Sequence, residues 1–490
     1  MSLLHRRRLL QLSGAMAVTA ASPAFGRQVG EPGWSSDVEI LRQAWETLHP
    51  GLHRYATPDQ ITERLNGLSA AWATPATFRE RFLALTRVTA SVRCGHTYPS
   101  PYNGGEPVRS RLYPDRALVP FRFVWIDGAM VVTHDDSAER AFPRGSIVTA
   151  INDVATVDLL ATLVTLARAD GASDAKRVSL MEVRGDDRFE TFDIHLPLIL
   201  PLRDRARFTL ADGRSVDAGL LTLADRQANA PAAVQPSGDA NPWTLEKGED
   251  GIHRLTMPGW ALYNSTFDWR RWLAGVMDDL TGDGARGLIV DLRGNEGGND
   301  CGDVILTRLT DRDIPRSRNQ RYVRYRRAPD ELRPHLNTWD SSFYDWGMVA
   351  QPDPERDGFY RLNRLGGVDD GTPIRPAGRR FSGKVVVLCD ASNSSATFGF
   401  AETVKDRSLA TLVGTPTGGN RRGINGGAFF FLKLPASEIV VDLPLIASFP
   451  ATPQPDAAIE PDVRVTTTAE DIRSGRDPQM DAATRLILNT

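Results

Sequence analysis

Two stretches of this chain share one pattern, and it constrains the fold more than anything else in the sequence. In "RGLIVDLRGNEGGND" the residues Leu288, Ile289, Val290 and Leu292 form an apolar run that stops at Arg293 and breaks into Gly294, Asn295, Gly297 and Gly298. In "KVVVLCDASNSSATFGFAETVKD" an apolar run again ends in a turn, here of small hydroxyl and amide residues, and a helical pattern follows at once. A strand without polar alternation is buried on both faces, which is the condition of a parallel sheet covered by helices. Ahead of the first stretch, "GIHRLTMPGW" reads as a strand and "FDWRRWLAGVMDDLTGDGA" as an amphipathic helix, so parallel βαβ construction and an α/β class are expected.

At 490 residues the chain is too long for one domain. Its N-terminus, "MSLLHRRRLLQLSGAMAVTAASPAFGRQ", sets three arginines before a modest apolar stretch and small residues, the pattern of an export signal over 1–26. The segment Arg6 to Gln11 resembles a twin-arginine signal, and a periplasmic or secreted protein with no membrane span after signal removal is expected. Residues 27–105 read as a helical domain. "DVEILRQAWETLH" puts Val38, Leu41, Ala44, Trp45 and Leu48 on one face, with Asp37 and Thr77 as expected caps.

Residues 106–230 carry short alternating runs, with turns expected at Asp127-Gly128, Asn152-Asp153 and Asp186-Asp187 and a strand expected in "RFETFDIHLPLIL". The strand, turn and amphipathic helix in "AFPRGSIVTAINDVATVDLLATLVTLARADG" look like a PDZ-like module, and equally suit any small α/β subdomain. A linker over 231–245, a core over 246–470 and a tail helix over 471–490 complete the expected organisation. The stretch 312–334, rich in arginine and tyrosine, reads as a solvated or salt-bridged insertion.

Composition narrows the function. The net charge of -3 gives no whole-chain electrostatic case for nucleic acid. Three cysteines, Cys94, Cys301 and Cys389, are too far apart for a disulfide scaffold or a zinc site, and no histidine has metal-ligand spacing, so neither metal nor cofactor is expected. "RGNEGGN" is neither a dinucleotide fingerprint nor a P-loop. Its glycine N–H groups would instead suit an oxyanion hole, provided a nucleophile turn lies elsewhere. "NSSATF" is either a helix cap or that turn.

"GLIVDLRGNEGGN", then "NSSATFGFAETVKD", then "LVGTPTGGN" resemble the core of the tail-specific, or C-terminal processing, serine peptidases. Setting the nucleophile at Ser395 aligns Ala396, Phe400, Ala401 and Lys405 with the family pattern, whereas Ser394 shifts all four; Phe398 stands where the family has an acidic residue. One branch uses a Ser-Lys dyad, but Asn420 occupies the lysine position here, and an amide is no general base. Lys405 is the remaining nearby lysine, and helical spacing turns it to solvent. "SVRCGHT" and "IEPDV" resemble the tricorn-core and retinoid-binding-protein-like branch. That resemblance implies a ClpP/crotonase-like core of β-β-α units, with His96 as base and Glu460 as its orienting group.

The implied chemistry is hydrolysis of a peptide or protein substrate. Ser395 attacks, His96 moves the proton, and Gly297, Gly298 and Ala396 hold the oxyanion. A non-catalytic binder of ligands or peptides on the same fold, and an esterase using the same serine, are the competing expectations. The "G-x-S-x-G" elbow of common lipases is absent.

Overall fold

The computed structural model describes residues 33–489, apart from 186–188, 230–237, 264, 316–318, 366–367 and 370–371. The export signal over 1–26 and the turn expected at Asp186-Asp187 lie outside the described residues. Two compact units emerge, and neither is one continuous stretch: one combines residues up to Tyr113 with Asn319–Asp369 and Gly423–Ala451, the other Pro114–Arg318 with Asp370–Arg422 and the C-terminal stretch from Thr452.

The first unit begins with the expected helices, Trp34–Leu48, Pro58–Ala73 and Phe78–Ser91. Thr57 with Gln60 and Thr77 with Glu80 form reciprocal capping boxes at the second and third. Asp37 is not the cap it was expected to be. It lies inside the first helix, fully buried, where its two carboxylate oxygens accept from Ala436 N at 2.9 Å and Ser437 N at 2.8 Å. The helical residues thereby hold the turn of a long hairpin, Asn425–Lys433 with Val440–Pro450. That hairpin anchors an antiparallel sheet to which Tyr98–Ser100, Asn319–Val323, Leu336–Asn337, Ala350–Pro352 and Tyr360–Leu362 add.

The arginine-rich stretch contributes a strand to this sheet, and its Arg327 and Arg333 are exposed and ion-paired with Asp330. Its aromatic residues decide the outcome: Tyr322 is buried against Phe359 and Phe449, and Tyr325 Oη donates to Phe343 O at 2.6 Å. Asp37→Ala should lower the unit's stability by about 2–4 kcal/mol, because a buried N–H group at Ser437 and a part-buried one at Ala436 lose their acceptor. A thermal-unfolding midpoint equal to wild type would contradict this role.

In the second unit the expected parallel sheet is present. Its order runs Val463–Arg464, Thr411–Gly414, Lys384–Cys389, Gly287–Asp291 and Ile252–Thr256, all parallel, with Thr244–Lys247 antiparallel at the edge. The uninterrupted apolar runs follow from this placement. Leu288, Val290, Val385 and Val387 pack into a core with the helices Trp269–Gly282, Gly302–Leu309 and Ser395–Asp406. Ile289, Val386 and Leu388 face the other way, onto Ala482, Ala483 and Ile487 of the terminal helix Pro478–Leu488. The end of the expected linker belongs to this core too, since Trp243 is buried against Phe267, Trp269 and Trp272.

The same unit holds an antiparallel sheet of Phe121–Ile126, Ala129–Asp135, Ile147–Ile151, Arg205–Leu210 and Ser215–Gly219. Asp127 and Gly128 both take positive φ at the first hairpin, as do Asn152 and Asp153 at the next turn. The expected amphipathic helix follows, at Thr156–Leu163. "RFETFDIHLPLIL", expected as a strand, is instead a helix, Thr191–Ile199. Phe192, Leu196 and Leu200, four apart, enter one core, and that helical spacing outweighs the strand-like composition.

Candidate active site

In the second unit the strand Lys384–Cys389 ends at Asp390, and five residues later Ser395 opens the helix Ser395–Asp406 with φ +53°. A residue with a Cβ in this left-handed region costs about 1–2 kcal/mol, so its surroundings must impose it. They do so through buried amides and a hydroxyl. Asn393 Oδ1 accepts from Asp390 N at 2.9 Å, while its Nδ2 donates to Leu292 O at 2.5 Å and Asn295 O at 3.1 Å. Asn393 O accepts from Gly418 N and Gly419 N at 2.8 and 3.1 Å. Thr397 Oγ1 lies 2.7 Å from Ser394 O and 2.9 Å from Asn295 O.

The result is a sharp strand-to-helix turn with Ser395 at its head. Ser394 differs from it: its Oγ donates to Glu296 O at 3.2 Å. Ser395 Oγ makes no hydrogen bond to a described residue of its own unit.

The glycine-rich turn is locked to this one. Asn295 Nδ2 donates to Met257 O at 2.7 Å, and Asn295 Oδ1 accepts from Gly297 N at 2.9 Å. Gly297 and Gly298 have φ of +100° and +139°. A Cβ at Gly297 would lie 2.7 Å from Ser394 O and 2.9 Å from both Ala396 N and Ser395 Cβ, so only glycine lets the turns approach this closely. Of the three expected oxyanion donors, Gly297 already uses its N–H within the turn. The N–H groups of Gly298 and Ala396 have no acceptor among the described residues, and Ala396 adds the positive end of the helix dipole.

Three polar side chains surround these turns, two of them from the middle of the chain. Lys176 Nζ pairs with Glu296 of the glycine turn and donates to Ser392 O at 3.2 Å. Arg184 bridges Glu182 and Asp390, with Nη1 to Asp390 Oδ2 at 2.8 Å and Nε to Glu182 Oε2 at 2.6 Å. Asn420, in the dyad-lysine position of the related branch, is buried with Nδ2 to Asp456 Oδ1 at 2.7 Å. Lys405 is partly exposed and pairs at the surface with Asp462. Glu460 is exposed, with the Arg464 guanidinium 3.8 Å from its carboxylate.

In the first unit His96 is half-buried in the loop before Tyr98–Ser100. Its ring centroid lies 5.8 Å from that of Phe429, and a Cβ at Gly426 would come within 3.7–3.9 Å of the imidazole. Nearby Cys94 is buried, its Sγ accepting from Asn425 Nδ2 at 3.2 Å. His49 is built in differently: it hydrogen-bonds Thr97 Oγ1 and Gly51 N, and burial pushes its pKa down to about 3. In the second unit burial does the same to His195. There too burial pushes the Cys389 thiol up to about 12, which makes it a poor nucleophile. No group of three or more histidine, cysteine or acidic residues among the described residues could hold a metal ion, and no described helix is long and apolar enough to cross a membrane.

The structure thus brings Gly297 against Ser395 and Ala396, with Gly298 next in the chain and packed on Trp260. Sequence reasoning missed the residues that hold them: Asn295, Asn393, Thr397, Asp390, Lys176 and Arg184. Two buried-strand ends rich in Asx residues were the available signal, since such side chains bond nearby backbone.

Comparison with known proteins matches residues 255–427 to the model of Peptidase family S41. Among solved structures, mature CPAF complexed with lactacystin aligns at TM-score 0.60 and 14% identity, covering 92% of this chain and 97% of that one. Mature CPAF alone aligns at TM-score 0.60 and 15% identity, covering 92% and 96%. The photosystem II D1 C-terminal processing protease covers 92% and 97% at TM-score 0.39 and 14% identity. No curated protein sequence matches the chain.

Proposed function

We propose that the chain is a serine-type peptidase of family S41, the family whose model matches residues 255–427, and that it cleaves peptide bonds through an acyl-enzyme on Ser395, with His96 as general base. The observation that carries this reading is the conformation of Ser395: a non-glycine residue at φ +53°, heading a helix, with the unclaimed N–H of Ala396 next to it and the glycine turn packed against it at Gly297. A cap alone does not need that strain.

In the proposed reaction His96 takes the hydroxyl proton as Ser395 Oγ attacks the substrate carbonyl. Negative charge develops on the carbonyl oxygen, where the N–H groups of Gly298 and Ala396 stabilise it. His96 returns the proton to the leaving amine, and then activates water to release the acyl group. Glu460 is proposed to orient His96. The N-terminal segment supports export to the periplasm or beyond, the twin-arginine pattern implying transport of the folded chain.

A fluorophosphonate probe reads the nucleophile directly. Wild type and Ser394→Ala should be labelled, with the adduct on the peptide that contains residue 395. His96→Ala should be labelled about 10²–10⁴-fold more slowly, the range that a positioned general base contributes. A folded wild type that stays unlabelled, or an adduct on Ser394, would overturn the assignment.

A further inference from the structure

Asp390 sits between the two turns of the site, and the proposed chemistry gives it no role. It is 8% exposed. Oδ2 accepts from Gly294 N, the first N–H of the glycine turn, at 3.1 Å, and Oδ1 accepts from Ser392 N in the serine turn at 2.9 Å. Arg184 Nη1 donates to the same Oδ2 at 2.8 Å and lies 3.4 Å from Ser392 Oγ. Behind Arg184 stands Glu182, whose Oε1 accepts from Trp125 N at 3.1 Å, so a chain of charged hydrogen bonds runs from the middle sheet to both turns.

An amide could not replace this carboxylate. The neighbouring turn bonds are made by Asn295 and Asn393, each using its oxygen as acceptor and its nitrogen as donor. At 390 every partner is a donor, namely two peptide N–H groups and a guanidinium, and only an ionised carboxylate accepts from all three. Burial opposes its ionisation, and Arg184 with the N–H groups of Ser392 and Gly294 outweighs burial, holding the carboxyl below its ordinary range.

We infer that Asp390, held by Arg184, is a positioning residue for acyl transfer: it fixes the glycine turn against the serine turn, and so sets the spacing between Ser395 and the donors at Gly298 and Ala396. The inference rests on the acyl-enzyme reading. In Asp390→Asn one partner N–H or the guanidinium must face an NH₂ group, and the two turns part. A displacement near 1 Å costs roughly 10²-fold in rate.

The experiment measures fluorophosphonate acylation, together with kcat and KM on a peptide substrate, in wild type, Asp390→Asn, Arg184→Met and Arg184→Lys, with Ser395→Ala as the blank. The expected result is a fall of about 10²-fold in acylation rate and kcat for Asp390→Asn, with KM nearly unchanged. Arg184→Met should fall similarly, and Arg184→Lys should recover part of the loss because it keeps a cation beside Asp390. Wild-type acylation in folded Asp390→Asn would overturn the inference, as would losses confined to KM. Should Asp390→Asn fail to fold, the arginine pair decides alone: equal rates in Arg184→Met, Arg184→Lys and wild type refute the positioning role. An unlabelled wild type would instead refute the acyl-enzyme reading and this inference with it.

Discussion

Ser395→Gly is expected to give a protein that hydrolyses no peptide bond and yet unfolds at a higher temperature than Ser395→Ala. Loss of a nucleophilic serine costs on the order of 10⁶-fold in kcat in enzymes of this mechanism, so both variants should fall to background. Their stabilities should part because of the backbone. Ser395 holds φ +53°, a region where a Cβ costs about 1–2 kcal/mol. Alanine keeps that cost, whereas glycine removes it and gives back about 0.5–1 kcal/mol in chain entropy. The net gain is about 0–1.5 kcal/mol in favour of glycine, centred near 0.75. Paired thermal or urea melts measure it, and a glycine variant less stable than alanine would show that the turn is unstrained and that its shape says nothing about catalysis.

This strain also explains what the sequence could and could not convey. The parallel core was legible because burial on two faces leaves an unmistakable mark: Leu288 and Val290 pack one way and Ile289 the other, so no polar residue interrupts the run. The choice of Ser395 over Ser394 as the proposed nucleophile rested on its neighbours Ala396, Phe400 and Ala401. Elsewhere local pattern and tertiary packing disagree, and packing wins. "RFETFDIHLPLIL" is composed like a strand, but Phe192, Leu196 and Leu200 meet one core at helical spacing. The arginine-rich stretch reads as solvated or salt-bridged because its charges dominate the composition; Arg327 and Arg333 do pair with Asp330, and what composition hides is the burial of Tyr322 and Tyr325.

Asp37 illustrates the same limit at longer range. As a carboxylate near a helix start it reads as a cap, and its actual partners, Ala436 and Ser437, lie almost a whole chain away. The same distance hides the supports of the site. Asp390 stands within the nucleophile stretch itself, yet its counterion Arg184 comes from the middle of the chain. No spacing rule links the two. Motifs therefore carried the proposed reacting groups, and only the fold shows what holds the two turns.

Gly297→Ala should abolish most activity while leaving a folded protein. The added methyl would lie 2.7 Å from Ser394 O and 2.9 Å from Ser395 Cβ and Ala396 N, all closer than real Cβ contacts allow. Two of those atoms are backbone and the third is the first side-chain atom of the nucleophile, so relief must come from moving the serine turn or the glycine turn. Either movement separates Ser395 from its oxyanion donors. Misplacement and loss of one donor each cost about 10²–10³-fold, and kcat should fall at least that far. The change also forces a Cβ onto φ +100°, so the melting temperature should fall as well. Gly399→Ala separates the two effects: it lies one turn into the helix Ser395–Asp406, is exposed, and has nothing within 4 Å of an added Cβ. That variant should gain about 0.5–1 kcal/mol of stability and keep its full rate. Full activity in folded Gly297→Ala would mean that the two turns need not touch for catalysis, and the proposed oxyanion arrangement would fall.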